Sequence, residues 1–213
     1  MFDSGANERP GFLANLAKDA KKYAGAGITE QVMLSFTTDP YHPGYNELTR
    51  EVLKVLHAYN MGFCTLTKGG SRALRDIDLF DQKRDAFACT LTSLDDAFSA
   101  KWERNAAPAS DRIETLRTFH DAGIFTWVSL EPTIDTEASK EIIECCHPWV
   151  DLWKIGRANY LGEITKTTDW QAYTEDMLDI VHRLGIAAYF KKDLQPYLPE
   201  GYFNPLRRKQ HWG

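Results

Sequence analysis

Cysteine is scarce in this sequence, and the four present are Cys64, Cys89, Cys145 and Cys146. Cys64 and Cys89 sit inside apolar β-like runs, where a small buried thiol is the usual occupant. Cys145 and Cys146 are adjacent, without the two-residue gap that structural zinc and cluster sites favour. No disulfide framework is visible, so a reduced chain is expected. Long apolar runs are also absent, and none approaches the ~20 residues that span a bilayer. Met1 to Pro10 has neither a positive start nor an apolar stretch of the kind a secretory signal needs, so a cytoplasmic protein is expected. Excess positive charge is lacking as well. The formal net charge is −5, which gives no general attraction to nucleic acid or to an anionic membrane. The one basic cluster, Arg207-Arg208-Lys209, reads as a solvated tail.

What is present is an ordinary globular composition, 43% hydrophobic and 26% charged over 213 residues, enough for one substantial core. β-like runs recur at Gln31–Phe36, Gly62–Leu66, Ala86–Leu91, Ile124–Leu130, Asp151–Ile155 and Ile186–Phe190. Helical patterns cover Phe12–Ala24, Glu47–Tyr59, Ser71–Phe80, Asp111–Asp121, Thr136–Cys146 and Trp170–Leu184. Ser110, Asp135 and Asp169 are expected N-caps, and Gly123 and Gly185 are expected terminators. Strict strand–helix alternation implies parallel strands with helical crossovers. Each run ends in polar residues: Thr37-Thr38-Asp39, Thr67-Lys68, Thr92-Ser93, Glu131, Lys154 to Arg157, and Lys191-Lys192-Asp193. Chemistry at the C-terminal end of every strand favours a barrel over an open sheet with a single switch point. The fold class expected is α/β, a partial (β/α) barrel of about six parallel strands that opens on a helix and lacks its first unit. A single domain over 1–213 is expected, with the leading helix in 1–28, barrel units over 29–195 and a tail over 196–213. The side-chain alternation of strands groups Lys68 with Leu66 and Cys64, Glu131 with Ser129 and Trp127, Asp39 with Thr37 and Ser35, and Thr92 with Thr90, as one converging pocket.

Several stretches, in order, resemble the spore photoproduct lyase-like branch of the radical-SAM family, also labelled DNA repair photolyase-like. They are Ser35-Phe36-Thr37-Thr38-Asp39-Pro40-Tyr41, Leu48-Thr49-Arg50, Leu66-Thr67-Lys68, Arg75-Asp76 and Thr90-Leu91-Thr92-Ser93-Leu94-Asp95-Asp96. Asp111-Arg112, His120-Asp121-Ala122-Gly123 and Lys154-Ile155-Gly156-Arg157-Ala158-Asn159-Tyr160 continue the match. The resemblance implies S-adenosylmethionine (SAM), cleaved reductively on a 4Fe-4S cluster that three cysteines spaced C-x3-C-x2-C hold by their thiolates. It implies Thr37, Thr38 and Asp39 near the cofactor's amino end, Lys68 against its carboxylate, and Thr90 nearby. Glu131, Lys154 and Arg157 are the expected substrate-pocket residues. The segment at Glu131-Pro132 departs from the family's proline–glycine pattern.

The sequence contains no C-x3-C-x2-C, so no metal ligands are assigned, and the chain is expected to be a truncated member that is inactive alone. The alternative is a catalytically silent barrel binding a small molecule or a protein partner. A further reading is an unrelated barrel enzyme with Lys68 or Lys154 as a Schiff-base nucleophile and Glu131 as base, which requires a lysine of depressed pKa in a dry pocket. A small-molecule ligand is the expected partner. The acidic charge does not support nucleic acid, and the sequence does not fix an oligomeric state.

Overall fold

The computed structural model describes residues 9–28, 30–34, 38–44 and 46–204. Six strands form one all-parallel sheet in sequence order: β1 (Val32–Leu34), β2 (Phe63–Thr67), β3 (Ala86–Thr90), β4 (Phe125–Ser129), β5 (Leu152–Ile155) and β6 (Ala188–Phe190). Consecutive order with helical returns is the partial barrel that the alternation predicts. The helices are α1 (Phe12–Gly25), α2 (Asn46–Ala58), α3 (Asp96–Trp102), α4 (Ala109–Asp121), α5 (Thr136–Cys146), α6 (Glu163–Thr167) and α7 (Trp170–Leu184). No described helix is long and apolar enough to cross a membrane.

Three details differ from expectation. The return between β2 and β3 is a 3₁₀ segment, Gly70–Leu79. Its start is fixed by Gly70 at φ 56°, with Asp111 Oδ2 only 2.0 Å from where a Cβ would sit. Two short helices, α3 and α6, went unread because neither is long enough to show a 3.6-residue period. Ser110 does not cap α4, which begins one residue earlier, after Pro108. Its hydroxyl instead donates to Asp96 Oδ2 at 2.7 Å and its amide to Asp96 Oδ1 at 2.9 Å, tying α4 to the start of α3. Asp135 and Asp169 do cap α5 and α7, accepting from Glu137 and Ala138 and from Ala172 respectively.

Strand alternation separates two cores. Outward residues such as Phe63, Phe87, Val128, Trp153 and Phe190 pack with the helices, where Phe87 and Phe119 stack with ring centroids 3.9 Å apart. Inward residues form a smaller cluster of Cys64, Ala86, Ala88, Trp127 and Leu152, with Met33, Leu66 and Phe125 against it. The registers Leu66↔Ala88↔Trp127↔Leu152 place four of these in one layer. Trp127 is 2% exposed and donates its indole N–H to Cys64 Sγ at 3.1 Å. This layer is the apolar floor beneath the C-terminal mouth.

Candidate functional site at the mouth of the partial barrel

One residue pair above that floor, the register Thr90↔Ser129↔Lys154↔Tyr189 begins the polar mouth. Alternation gives Thr90, Ser129 and Lys154 the same face as Ala88, Trp127 and Leu152. Lys68 continues the inward face of β2 one residue beyond the strand. The sequence grouping of these side chains therefore matches the observed layers.

Lys68 lies 3.0 Å from Glu103 Oε1, and Glu103 Oε2 accepts from Arg112 Nη2 at 2.6 Å. The Arg112 side chain is fully buried and its Nη1 donates to the Thr90 carbonyl at 2.8 Å. Burial acts to raise the Glu103 carboxyl, but the Lys68 and Arg112 cations outweigh it and hold the group below the usual carboxylate range. The triad binds the end of β2, the end of β3, α3 and α4 together around one buried charge. It carries one surplus positive charge, at the mouth.

Asp39 braces the loop that follows β1. Its carboxylate accepts from Thr67 Oγ1 at 2.6 Å, from the Lys68 amide at 2.7 Å and from the Tyr41 amide at 2.8 Å. Gly69 follows because a Cβ there would stand 2.6 Å from Tyr41 Cβ and 2.8 Å from Thr67 Oγ1, so close approach rather than flexibility requires it. Thr38 is exposed on the same loop, and Ser35 and Thr37 lie outside the described residues. Arg75-Asp76 belongs to a peripheral network: Asp76 Oδ1 accepts from Arg50 at 2.8 Å, and Arg75 pairs with Glu47 at 2.7 Å.

On the other side of the mouth, Glu131 follows β4 across a cis bond to Pro132 and pairs with Lys191, which also donates to Ser129 Oγ at 3.2 Å. Asn159 Nδ2 donates to Glu131 Oε1 at 3.3 Å and to Asp193 Oδ2 at 2.8 Å, while Arg157 Nε donates to Asn159 Oδ1 at 3.2 Å. Asn159 thus links Glu131 with Arg157. Gly156 makes room for this arrangement, since a Cβ there would meet Glu131 Oε2 at 2.7 Å. A cavity of about 420 Å³ opens beside it, lined by Arg157, Asn159, Tyr160, Thr165, Lys166 and Asp193.

Lys154 stands apart. Its Nζ lies 3.2 Å from the centroid of the Trp127 ring, and no carboxylate among the described residues pairs with it. Burial, reinforced by the nearby Lys191 charge, lowers its amine to about 8. The Cys64 thiolate would oppose this shift, but burial pushes that thiol up to about 11 and so keeps it uncharged near neutrality.

Glu103, Ser129 and Lys191 were not singled out from sequence as site residues. Lys191 carried a readable signal, a strand-end polar cluster like the others. Glu103 carried none, because its partners are fixed only by the fold.

The cysteines do not fit a 4Fe-4S cluster. Cys64 is in the lumen floor, Cys89 faces the helical core, and Cys145 and Cys146 are on α5. Cys89 is pushed up to about 12 by burial, and burial likewise raises Cys146, the reverse of the thiolate character that iron ligation needs. Among the described residues no group of three His, Cys, Asp or Glu is arranged to hold a metal ion.

No protein-family model matches the chain, and no curated protein sequence matches it. Among solved structures, it is similar to SuiB of Streptococcus suis bound to S-adenosylmethionine, with a TM-score of 0.68 at 12% identity, covering 94% of this chain and 48% of that one. The same enzyme bound to its precursor peptide SuiA gives 0.68 at 12% identity over 92% of this chain and 46% of SuiB. The chain therefore spans about half the length of these neighbours. The fold of this chain, an all-parallel sheet with helical returns, is therefore one it shares with SuiB.

Proposed function

We propose that this chain is a SAM-binding barrel of the spore photoproduct lyase-like branch that does not cleave the cofactor with its own residues. The observation that carries the reading is the polar layer set on a dry floor. Thr90, Ser129 and Lys154 lie in register above Leu66, Ala88, Trp127 and Leu152, with the Lys68–Glu103–Arg112 triad at the rim. A surplus cation beside hydroxyls over an apolar floor suits a ligand with a carboxylate at one end and apolar or aromatic surface at the other. The segments that resemble the radical-SAM family and the likeness to SuiB, one of whose structures holds SAM, support SAM as that ligand.

In this reading Lys68 directs its ammonium to the methionyl carboxylate, sharing it with Glu103. Thr90 lies near the same group. Asp39 holds the loop that carries Thr38, so its part is to position backbone at the amino end. SAM supplies a sulfonium and a transferable carbon group when bound, and no step through a cluster is assigned to this chain, because its cysteines do not fit one.

Isothermal titration of SAM into the purified chain tests the proposal. Weak binding is expected, with Lys68→Ala weakening it by about tenfold, the equivalent of about 1.4 kcal/mol. Equal affinity in the variant removes Lys68 from the site. No heat and no protection from proteolysis at millimolar SAM removes the SAM assignment altogether.

A further inference from the structure

The mouth holds three inward lysines in three different chemical states. Lys68 is held 3.0 Å from the buried Glu103 carboxylate, and Lys191 is paired with Glu131. Lys154 has no carboxylate partner among the described residues and rests on the Trp127 face. That indole is itself locked by its N–H to Cys64 Sγ, so the amine sits over a fixed, dry surface rather than a mobile one. The titratable groups around it are Cys64 on β2, Tyr189 in register with it on β6 and Lys191 beyond β6, and Lys191 is itself paired with Glu131 beyond β4. The inward residues of β3, Ala88 and Thr90, bring no charge.

We propose that Lys154 is a carbonyl-reactive amine that forms a Schiff base with a small aldehyde or ketone bound in the barrel mouth. The nitrogen lone pair attacks the carbonyl carbon and a C–N bond forms. The first nitrogen proton passes to the carbonyl oxygen to give a carbinolamine, whose hydroxyl then leaves as water while a C=N bond remains, and proton return from Glu131 to its partner Lys191 restores the pair. Nothing is oxidised or reduced. The proton that the oxygen gains on leaving comes from the Lys191 ammonium, and Glu131 takes up the one the nitrogen loses. Ser129, in register with Lys154 and accepting from Lys191 at 3.2 Å, marks where the departing oxygen would be bonded. The surplus charge of the Lys68–Glu103–Arg112 triad favours a carbonyl compound that also bears a carboxylate.

Two effects on the amine oppose each other. Burial lowers it to about 8, while the aromatic face beneath favours the ammonium and acts upward. The midpoint that results still lies below that of an ordinary lysine near 10.4. At pH 7.5 the neutral amine is then more abundant than on a free lysine, about tenfold for each pH unit of lowering.

The experiment incubates the intact chain with glyoxylate and cyanoborohydride, and reads the reductively trapped adduct peptide by peptide by mass spectrometry. Lys154 is expected to label at least about tenfold faster at pH 7.5 than the exposed Lys18, Lys21 and Lys83, with a rate midpoint below pH 9.5. Labelling no faster than those lysines, or a rate that climbs through pH 10 without a midpoint, overturns the proposal. Glu131→Gln is expected to slow trapping several-fold at an unchanged midpoint, and an unchanged rate removes the proton relay. The readout is a covalent mass with a probe unrelated to adenosine, so it stands or falls separately from SAM binding.

Discussion

Glu103→Gln is the most telling single substitution for the stability of the mouth. The side chain is 2% exposed and faces Arg112, which is fully buried, and Lys68, which is 24% exposed. Glutamine keeps the shape and one carbonyl acceptor, so packing is preserved and the change is electrostatic. It leaves the Arg112 guanidinium buried without a counter-charge, which costs about 3–5 kcal/mol. For a domain whose whole stability is about 5–15 kcal/mol, that is a large share. With a urea slope of about 2–3 kcal/mol/M, the unfolding midpoint should fall by about 1–2.5 M. Circular dichroism through a urea titration at pH 7 measures this. The pH dependence is a second constraint. Glu103 is held below its unfolded value, so its contribution is complete above an unfolded value near 4.3 and is lost as pH falls through the folded value. Wild type and variant should therefore converge in acid. The double variant Glu103→Gln, Arg112→Met should recover part of the loss, because it removes the stranded charge while leaving only the Thr90 carbonyl without its donor. A loss under about 0.5 kcal/mol at neutral pH would refute the reasoning, as would curves that remain parallel down to pH 3.

Asp39→Ala removes a charged acceptor from Thr67, Lys68 and Tyr41, and should destabilise the chain by about 2–4 kcal/mol in chemical denaturation, with Asp39→Asn milder because one acceptor oxygen persists. Gly70→Ala places a Cβ 2.0 Å from Asp111 Oδ2 at φ 56° and should cost about 2–3 kcal/mol, read as a fall in thermal midpoint. Asp135→Ala frees the amides of Glu137 and Ala138 and should cost about 1 kcal/mol, a control whose effect stays confined to α5.

The strands and the helices longer than ten residues were readable because their apolar periods are sustained. Alternation alone grouped Cys64 with Leu66 and Trp127 with Ser129, and the sheet registers place these pairs on one face, with Lys68 and Glu131 beyond the strand ends. What stayed hidden depends on partners distant in sequence. Glu103 ends a seven-residue helix too short to show a period, and it meets a lysine thirty-five positions earlier. The bracing role of Asp39 was equally invisible, since a carboxylate after a strand looks alike whether it faces a ligand or the neighbouring loop. Lys154 was marked as a contact and as one of two possible nucleophiles. Only the pairing of Lys68 with Glu103, against the bare approach of Lys154 to an indole, separates the two.

At the far side of the sheet, the buried Asn204 spends its whole side chain on one residue of β6: Oδ1 accepts from the Phe190 amide at 3.2 Å and Nδ2 donates to the Phe190 carbonyl at 2.7 Å. A side-chain amide has the same donor and acceptor as a peptide unit, so here it stands in for one residue of a neighbouring strand. Ordering one asparagine costs far less conformational entropy than laying down another strand. It also withholds the hydrogen-bonding pair that an incoming chain would need in order to extend the sheet at that point. The incomplete barrel thereby behaves at β6 like a polymer with a blocked end group, where growth stops for want of a reactive terminus.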